Sequence, residues 1–361
     1  MEKNKSKLSF PGNRKFTIGG APSGVGDYFM RWLFFYTNMH ELGLSYLHTP
    51  ANLTKTHTTD AYDKLTEILG FGIFTKISQT DQENILNLSL LELIEAYEKG
   101  GKEAFREYVI SQDSNENTIF MIDVNERRNI GGKAMMGNIS ELLKPTRFKI
   151  NTMREEYLGN IESLTESPIQ KNKINIAVHV RRGDLSLFAS FFRLANNAHY
   201  PIKFFKEKFL PIKYYLVILD ELVNIIGEDN CHINVFSDGN YKAVNIMINN
   251  KLKDNNKDKI IESLKENDLD AEFLAFNKYK NVSLYIGDDF DLFKKSFCGL
   301  THSDVVIGAK ESSFFFISKY YKKYGDQVRI EFLETRECTF DKEELIRNNR
   351  ISKALSKNRF N

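Results

Sequence analysis

The chain has almost no net charge: 50 basic side chains stand against 48 acidic ones, leaving +2 over 361 residues. That excludes the broad cationic field behind non-specific nucleic-acid binding, so no nucleic-acid partner is expected and any anion site has to be local. Cysteine is scarce too. Cys231, Cys298 and Cys338 are odd in number and far apart, which supports neither a disulfide framework nor a zinc cluster and leads to the expectation of a reducing compartment. No stretch approaches the roughly 18 continuous apolar residues that span a bilayer. The polar, basic segment Met1 to Lys7 is not followed by the apolar core of a signal peptide, so a cytoplasmic location is expected. Tryptophan occurs once, whereas phenylalanine occurs 28 times.

What is present is the balance of a folded globular protein, with 42% hydrophobic and 27% charged residues. The length exceeds one ordinary core and predicts two domains facing a cleft. Phe16 to Gly20 reads as a short buried strand, followed by a glycine-rich loop and then by Phe29, Trp32, Leu33, Tyr36 and Met39 at helical spacing. Asp27 is placed to cap that helix, which should end near Gly43 before a strand at 44–47. Strand, glycine loop, helix and strand open a βαβ unit. Amphipathic helices at 60–70 and 90–98 and a strand at 118–123 follow. The polar segment 163–173 reads as the interdomain linker.

Beyond it, strands at 174–180, 232–237, 281–286, 304–308 and 327–332 alternate with helices near 211–226, 240–252, 290–300 and 312–324. Such alternation predicts a parallel sheet covered on both faces, whose ligands bind beyond the carboxyl ends of the strands. The expected layout is an α/β protein with domains at 1–165 and 166–335 and a basic tail at 336–361. The charged run from Lys251 to Asp268 reads as a solvated face.

The most informative segment is 176–185, in which a buried strand ends in Arg181, Arg182, Gly183 and Asp184. Guanidinium groups bind phosphate oxygens bidentately, so a diphosphate is a natural partner, with surface salt bridges to carboxylates as the alternative. His-Val-Arg-Arg-Gly-Asp at 179–184 resembles the first motif shared by the α1,2-, α1,6- and protein O-fucosyltransferases. Three further stretches resemble that superfamily in the same order: Gly24-Val25-Gly26-Asp27, Val235-Phe236-Ser237-Asp238, and Ile307-Gly308 through Ser312-Ser313-Phe314. Tyr214-Tyr215 sits where many α1,2 members carry a tyrosine pair. The resemblance covers about residues 16–46 and 174–332.

The resemblance implies a GT-B fold of two Rossmann-like domains, GDP-fucose as donor, and no metal or other cofactor. Arg181 would bind the β-phosphate, with Arg182 and Asp184 holding the motif in shape and His179 contacting the nucleotide or bracing the loop. Gly24 and Gly26 belong to the N-terminal loop, and Ser237 and Asp238 to the nucleotide or sugar contacts, a turn-forming aspartate being the alternative. Ser312, Ser313 and Phe314, at the start of a helix, would cradle phosphate or simply cap it. Asp291 resembles the aspartate that reads the guanine edge, with Asp288 and Asp289 as competitors. The family's catalytic carboxylates are missing, since Val25 and Ala189 stand in their places, which leaves Asp27 as base or as helix cap.

Fucosyl transfer to a glycan hydroxyl is therefore the expected function. Another nucleotide-sugar transferase and a non-catalytic nucleotide-sugar or glycan sensor are the rivals. Two Asp-x-Asp spacings, Asp268 to Asp270 and Asp289 to Asp291, do not amount to a metal site. Lys342, Arg347, Arg350, Lys353, Lys357 and Arg359 make the tail basic enough to approach an anionic membrane, or to form a solvated or crossing helix.

Overall fold

The computed structural model describes residues 14–19, 25–49, 66–112, 115, 117–123, 139–162, 166–182, 210–239, 270–287, 289–310, 312–332 and 342–358. The chain divides into two compact units, Met1–Glu162 and Ser163–Asn361. Each has its own parallel sheet, with helices in the connections.

In the first unit, β1 (Lys15–Gly19) leads to α1 (Val25–Glu41) and β2 (Ser45–Tyr46), while β3 (Ile85–Leu88) leads through α2 (Leu90–Ser111) to β4 (Ile119–Asp123). The strand order is β2-β1-β4-β3, all parallel, and α3 (Ile139–Glu162) packs on α1. α1 begins two residues before Asp27, so the aspartate stands inside its first turn and is not its cap. The single tryptophan, Trp32, is fully buried in an aromatic cluster, with ring centroids 4.9 Å from Tyr36, 5.2 Å from Phe71 and 5.5 Å from Phe29.

The second unit runs β5 (Ile174–His179), α4 (Ile212–Ile226), β6 (Cys231–Ser237), a 3-10 helix over Ala271–Lys278, β7 (Val282–Ile286), α5 (Phe290–His302), β8 (Val305–Ala309), α6 (Ser313–Ser318) and β9 (Val328–Phe332). Its order is β7-β6-β5-β8-β9, all parallel. The first strand of the unit is thus central, and the winding reverses between β5 and β8. In open α/β sheets that switch point is where ligands bind.

The alternation of the strands sorts the core into two layers. Ile176, Val178, Ile233, Val235, Val305 and Ile307 face α4 and the 3-10 helix. Ala177, Phe236 and Val306 face Leu300 of α5 and Phe315 of α6. Close approach on this second side depends on two glycines. A Cβ on Gly299 would lie 2.2 Å from the Phe236 ring, and one on Gly308 would lie 2.6 Å from the Phe315 ring.

The helix expected over 312–324 stops at Ser318. The Phe315 carbonyl, which would continue it, accepts instead from the Ser318 hydroxyl at 2.7 Å and from Arg329 Nη2 at 2.8 Å. The tail also differs from a free appendage. Two short helices, α7 (Lys342–Arg347) and α8 (Asn349–Asn358), bury Leu345 and Ile351 in the same core layer as α4. Arg350 pairs at 3.0 Å with the fully buried Asp304 at the start of β8. The linker residues 166–173 likewise belong to the second unit, with the Pro168 carbonyl accepting from Asn234 at 3.0 Å. No helix among the described residues is long and apolar enough to cross a membrane.

Candidate functional site

The carboxyl end of β5 delivers three side chains in alternation. His179 and Arg181 belong to the α5/α6 side, whereas Arg182 turns back to the α4 side. His179 is 5% exposed, its ring nearly parallel to Phe315 at 6.2 Å and tilted against Phe314 at 5.5 Å. Burial, reinforced by the Arg181 charge, pushes its pKa down to about 3, so the ring is neutral near pH 7. No described residue hydrogen-bonds its Nδ1.

Arg181 pairs through Nη1 with Asp238 Oδ2, and Asp238 Oδ1 accepts the Arg182 backbone N–H at 3.0 Å. The Asp238 carboxylate therefore holds the guanidinium at the strand end. Ser237, just before it, is buried, and its hydroxyl accepts the Gly239 N–H at 3.1 Å. Ser237 thus shapes the turn after β6, while Asp238 ties that turn to the end of β5 and holds Arg181.

Arg182 is fully buried and forks onto Glu272 at 2.5 and 3.0 Å. It cannot reach a ligand at the switch point and acts as an internal brace. Glu272 went unnoticed in the sequence because it lies 90 residues away, just past the charged run. Tyr215 is fully buried on the same side, ring against Phe332 at 5.0 Å, whereas Tyr214 is only partly buried and lies within cation–π reach of Lys213.

Ser312 caps α6, its hydroxyl accepting the Phe315 N–H at 3.5 Å, with Ser313 and Phe314 opening the helix behind it. Between the competing aspartates the structure separates two roles. Asp289 caps α5 by accepting the Leu292 N–H at 2.8 Å, while Asp291 is exposed in the first turn and paired with Lys294. Asp184, Asp288, Ala189 and Gly24 lie outside the described residues. Gly26 and Asp27 are placed only as members of α1. Among the described residues no group of three or more His, Cys, Asp or Glu side chains is arranged to hold a metal ion.

The arrangement is a carboxylate-paired arginine beside a neutral, buried imidazole at the switch point of a parallel sheet, against aromatic rings. It suits an anionic ligand with an aromatic or polar extension. No protein-family model matches this chain, and no curated protein is significantly similar to it in sequence.

Proposed function

We propose that the chain is a glycosyltransferase of GT-B type that transfers a sugar, fucose by resemblance, with inversion from a nucleoside diphosphate to a glycan hydroxyl. The observation that carries this reading is Arg181, held by Asp238 at the carboxyl end of the central strand beside the neutral His179. In the proposed step the acceptor oxygen attacks the anomeric carbon and the bond from that carbon to the β-phosphate oxygen breaks. The electron pair leaves on the diphosphate. A fixed guanidinium offsets that developing charge without reorganising, which is where electrostatic catalysis is strongest. The acceptor proton goes to a general base, for which Asp27 in the first turn of α1 is the carboxylate the sequence offers.

The residues at the two family base positions, Val25 and Ala189, favour a second reading, a sensor that binds a nucleotide sugar without turning it over. The membrane association expected of the tail enters the first reading only through exposed residues such as Arg347 and Lys353, because Arg350 is paired inward.

A thermal-shift panel of GDP, UDP, CDP and their sugars tests both readings. A ligand at a hundred times its Kd stabilises by about 2.7 kcal/mol, and GDP is expected to give the largest shift. Arg181→Lys keeps the pairing with Asp238 but loses the fork, and is expected to lower transfer by about a hundredfold with the fold intact. Transfer is expected to continue in excess EDTA. Binding without transfer or donor hydrolysis selects the sensor, and no shift with any nucleotide removes both readings.

A further inference from the structure

We propose that Glu272 is a positioning residue for Arg181, acting through Arg182; this rests on the nucleotide-sugar reading above. Two adjacent arginines at the end of a strand must point to opposite faces. Arg182 therefore enters the apolar layer between β5 and α4, where its guanidinium is fully buried near the Tyr215 hydroxyl. A lone buried cation is too costly to persist, and Glu272 supplies the counter-charge in bidentate geometry.

Stability alone is a weak reason for such a pair, because well-packed apolar residues of similar volume commonly serve as well or better. The geometry supplies a stronger one. Arg182 has a third contact, from Nη1 to the Arg181 carbonyl at 3.0 Å. That carbonyl and the Arg182 N–H belong to one peptide group, and the N–H is held at 3.0 Å by Asp238 Oδ1. The peptide joining the two arginines is thus pinned at its oxygen by the guanidinium that Glu272 anchors and at its nitrogen by Asp238. The other oxygen of Asp238 takes the Arg181 side chain. Rotation of this peptide would take the Arg182 N–H off Asp238 Oδ1 and so loosen the carboxylate whose other oxygen holds the Arg181 guanidinium. Fixing it keeps the cation aimed in advance, the condition for binding a diphosphate without reorganisation.

The test uses the full chain and two probes, GDP and inorganic pyrophosphate, with calorimetry for affinity and thermal unfolding for stability. The double variant Arg182→Met/Glu272→Leu replaces the ion pair with apolar side chains and leaves no buried charge. Its melting temperature is expected to stay close to the wild-type value. Its Kd for both probes should rise by about tenfold, the equivalent of one charge-assisted hydrogen bond. In an Arg181→Lys background the same double change should add little, because the group being positioned is already gone. A role confined to stability would not produce that non-additivity. Unchanged affinity in the double variant, or an equal loss in both backgrounds, overturns the proposal.

Should the double variant fail to fold, Glu272→Asp keeps the charge but draws it back by one methylene. Weakened binding of both probes then supports positioning, and wild-type affinity overturns it. A wild-type chain that binds neither probe removes the nucleotide-sugar reading along with this inference. Wild-type binding that the variants leave unmoved removes this inference alone.

Discussion

The two units solve one architectural problem with different chemistry. In the first, the polar groups buried beside β2 form an uncharged chain: Tyr28 to Tyr46 at 3.1 Å, Tyr46 to His48 Nδ1 at 3.2 Å, and His48 Nε2 to Thr66 at 3.3 Å. Its ion pairs from Glu41 to Lys102 and Arg106 join the far end of α1 to α2. In the second, a buried guanidinium pair and a carboxylate-held arginine meet at the carboxyl end of the central strand. The buried polar chain of the first unit is neutral, whereas the second unit buries charged pairs, Arg182 with Glu272 beyond the carboxyl end of β5 and Arg350 with Asp304 before β8. On the proposed function, anion recognition would therefore fall to the second unit.

The hardest blow to this comparison is Trp32→Ala. The side chain is fully enclosed, and truncating a buried tryptophan costs about 3–5 kcal/mol. Urea unfolding followed by circular dichroism should show the first unit destabilised, while GDP affinity of the folded protein stays within about twofold of wild type. Loss of GDP binding with the fold retained would show that the aromatic core also shapes the anion site, and the division of labour would fall.

Acid offers a finer cut. His48 is held down to about 4 by burial and by the nearby Lys76, and His179 to about 3 by burial and Arg181. Both folded values lie below the ordinary 6.5, so the unfolded chain binds the extra protons as pH falls. Stability is full above about 6.5 and is lost as pH drops from there, toward 4 for His48 and toward 3 for His179, by up to about 1.4 kcal/mol per pH unit for each histidine. Trp32 is the only tryptophan, so its fluorescence reports the first unit. His48→Gln should flatten the fluorescence-monitored acid slope, and His179→Asn should leave that slope unchanged. The reverse result would break the assignment of the two histidines to separate units.

Much of the second unit was legible because its strands are short apolar runs with clear alternation, and β5 to β9 fall where those runs lie. The ends of elements were harder. Nothing local shows that Arg329 and Ser318 would take the Phe315 carbonyl and stop α6 early. Asp27 looked like a cap because it precedes the apolar periodicity, yet α1 starts at Val25. In the site, His179 and Arg181 stood out as residues, but the different fates of Arg181 and Arg182 needed the strand alternation carried two residues past the strand. Asp238 stood out as a nucleotide contact or turn former, but its hold on Arg181, like the presence of Glu272 beside Arg182, was beyond local reading, since each acts across a gap in sequence of more than 50 residues. Of the tail, the sequence displayed the charges and hid the packing, because Leu345 and Ile351 are too few to form a visible stripe.

That packing sets up the smallest expected effect. Within the tail, Arg350 points inward to Asp304, whereas Arg347 and Lys353 are exposed. Among the described residues Arg347 pairs with the i,i+4 partner Glu343, at 3.4 Å and largely in solvent, a contact of little energetic weight. The double reversal Arg347→Glu/Lys353→Glu should therefore change stability by no more than about 0.5 kcal/mol, as expected of surface positions. Arg350→Ala strands a buried carboxylate and should cost several times more, a contrast that thermal unfolding of the two variants measures directly. The same reversal asks whether the outer face meets a membrane, where each basic group contributes about 1 kcal/mol near an anionic surface. Sedimentation with anionic liposomes at low and high salt gives the answer. Salt-sensitive binding that the reversal abolishes assigns the outer face to a membrane. Identical behaviour of wild type and variant leaves the tail with one role, closing the core of the second unit.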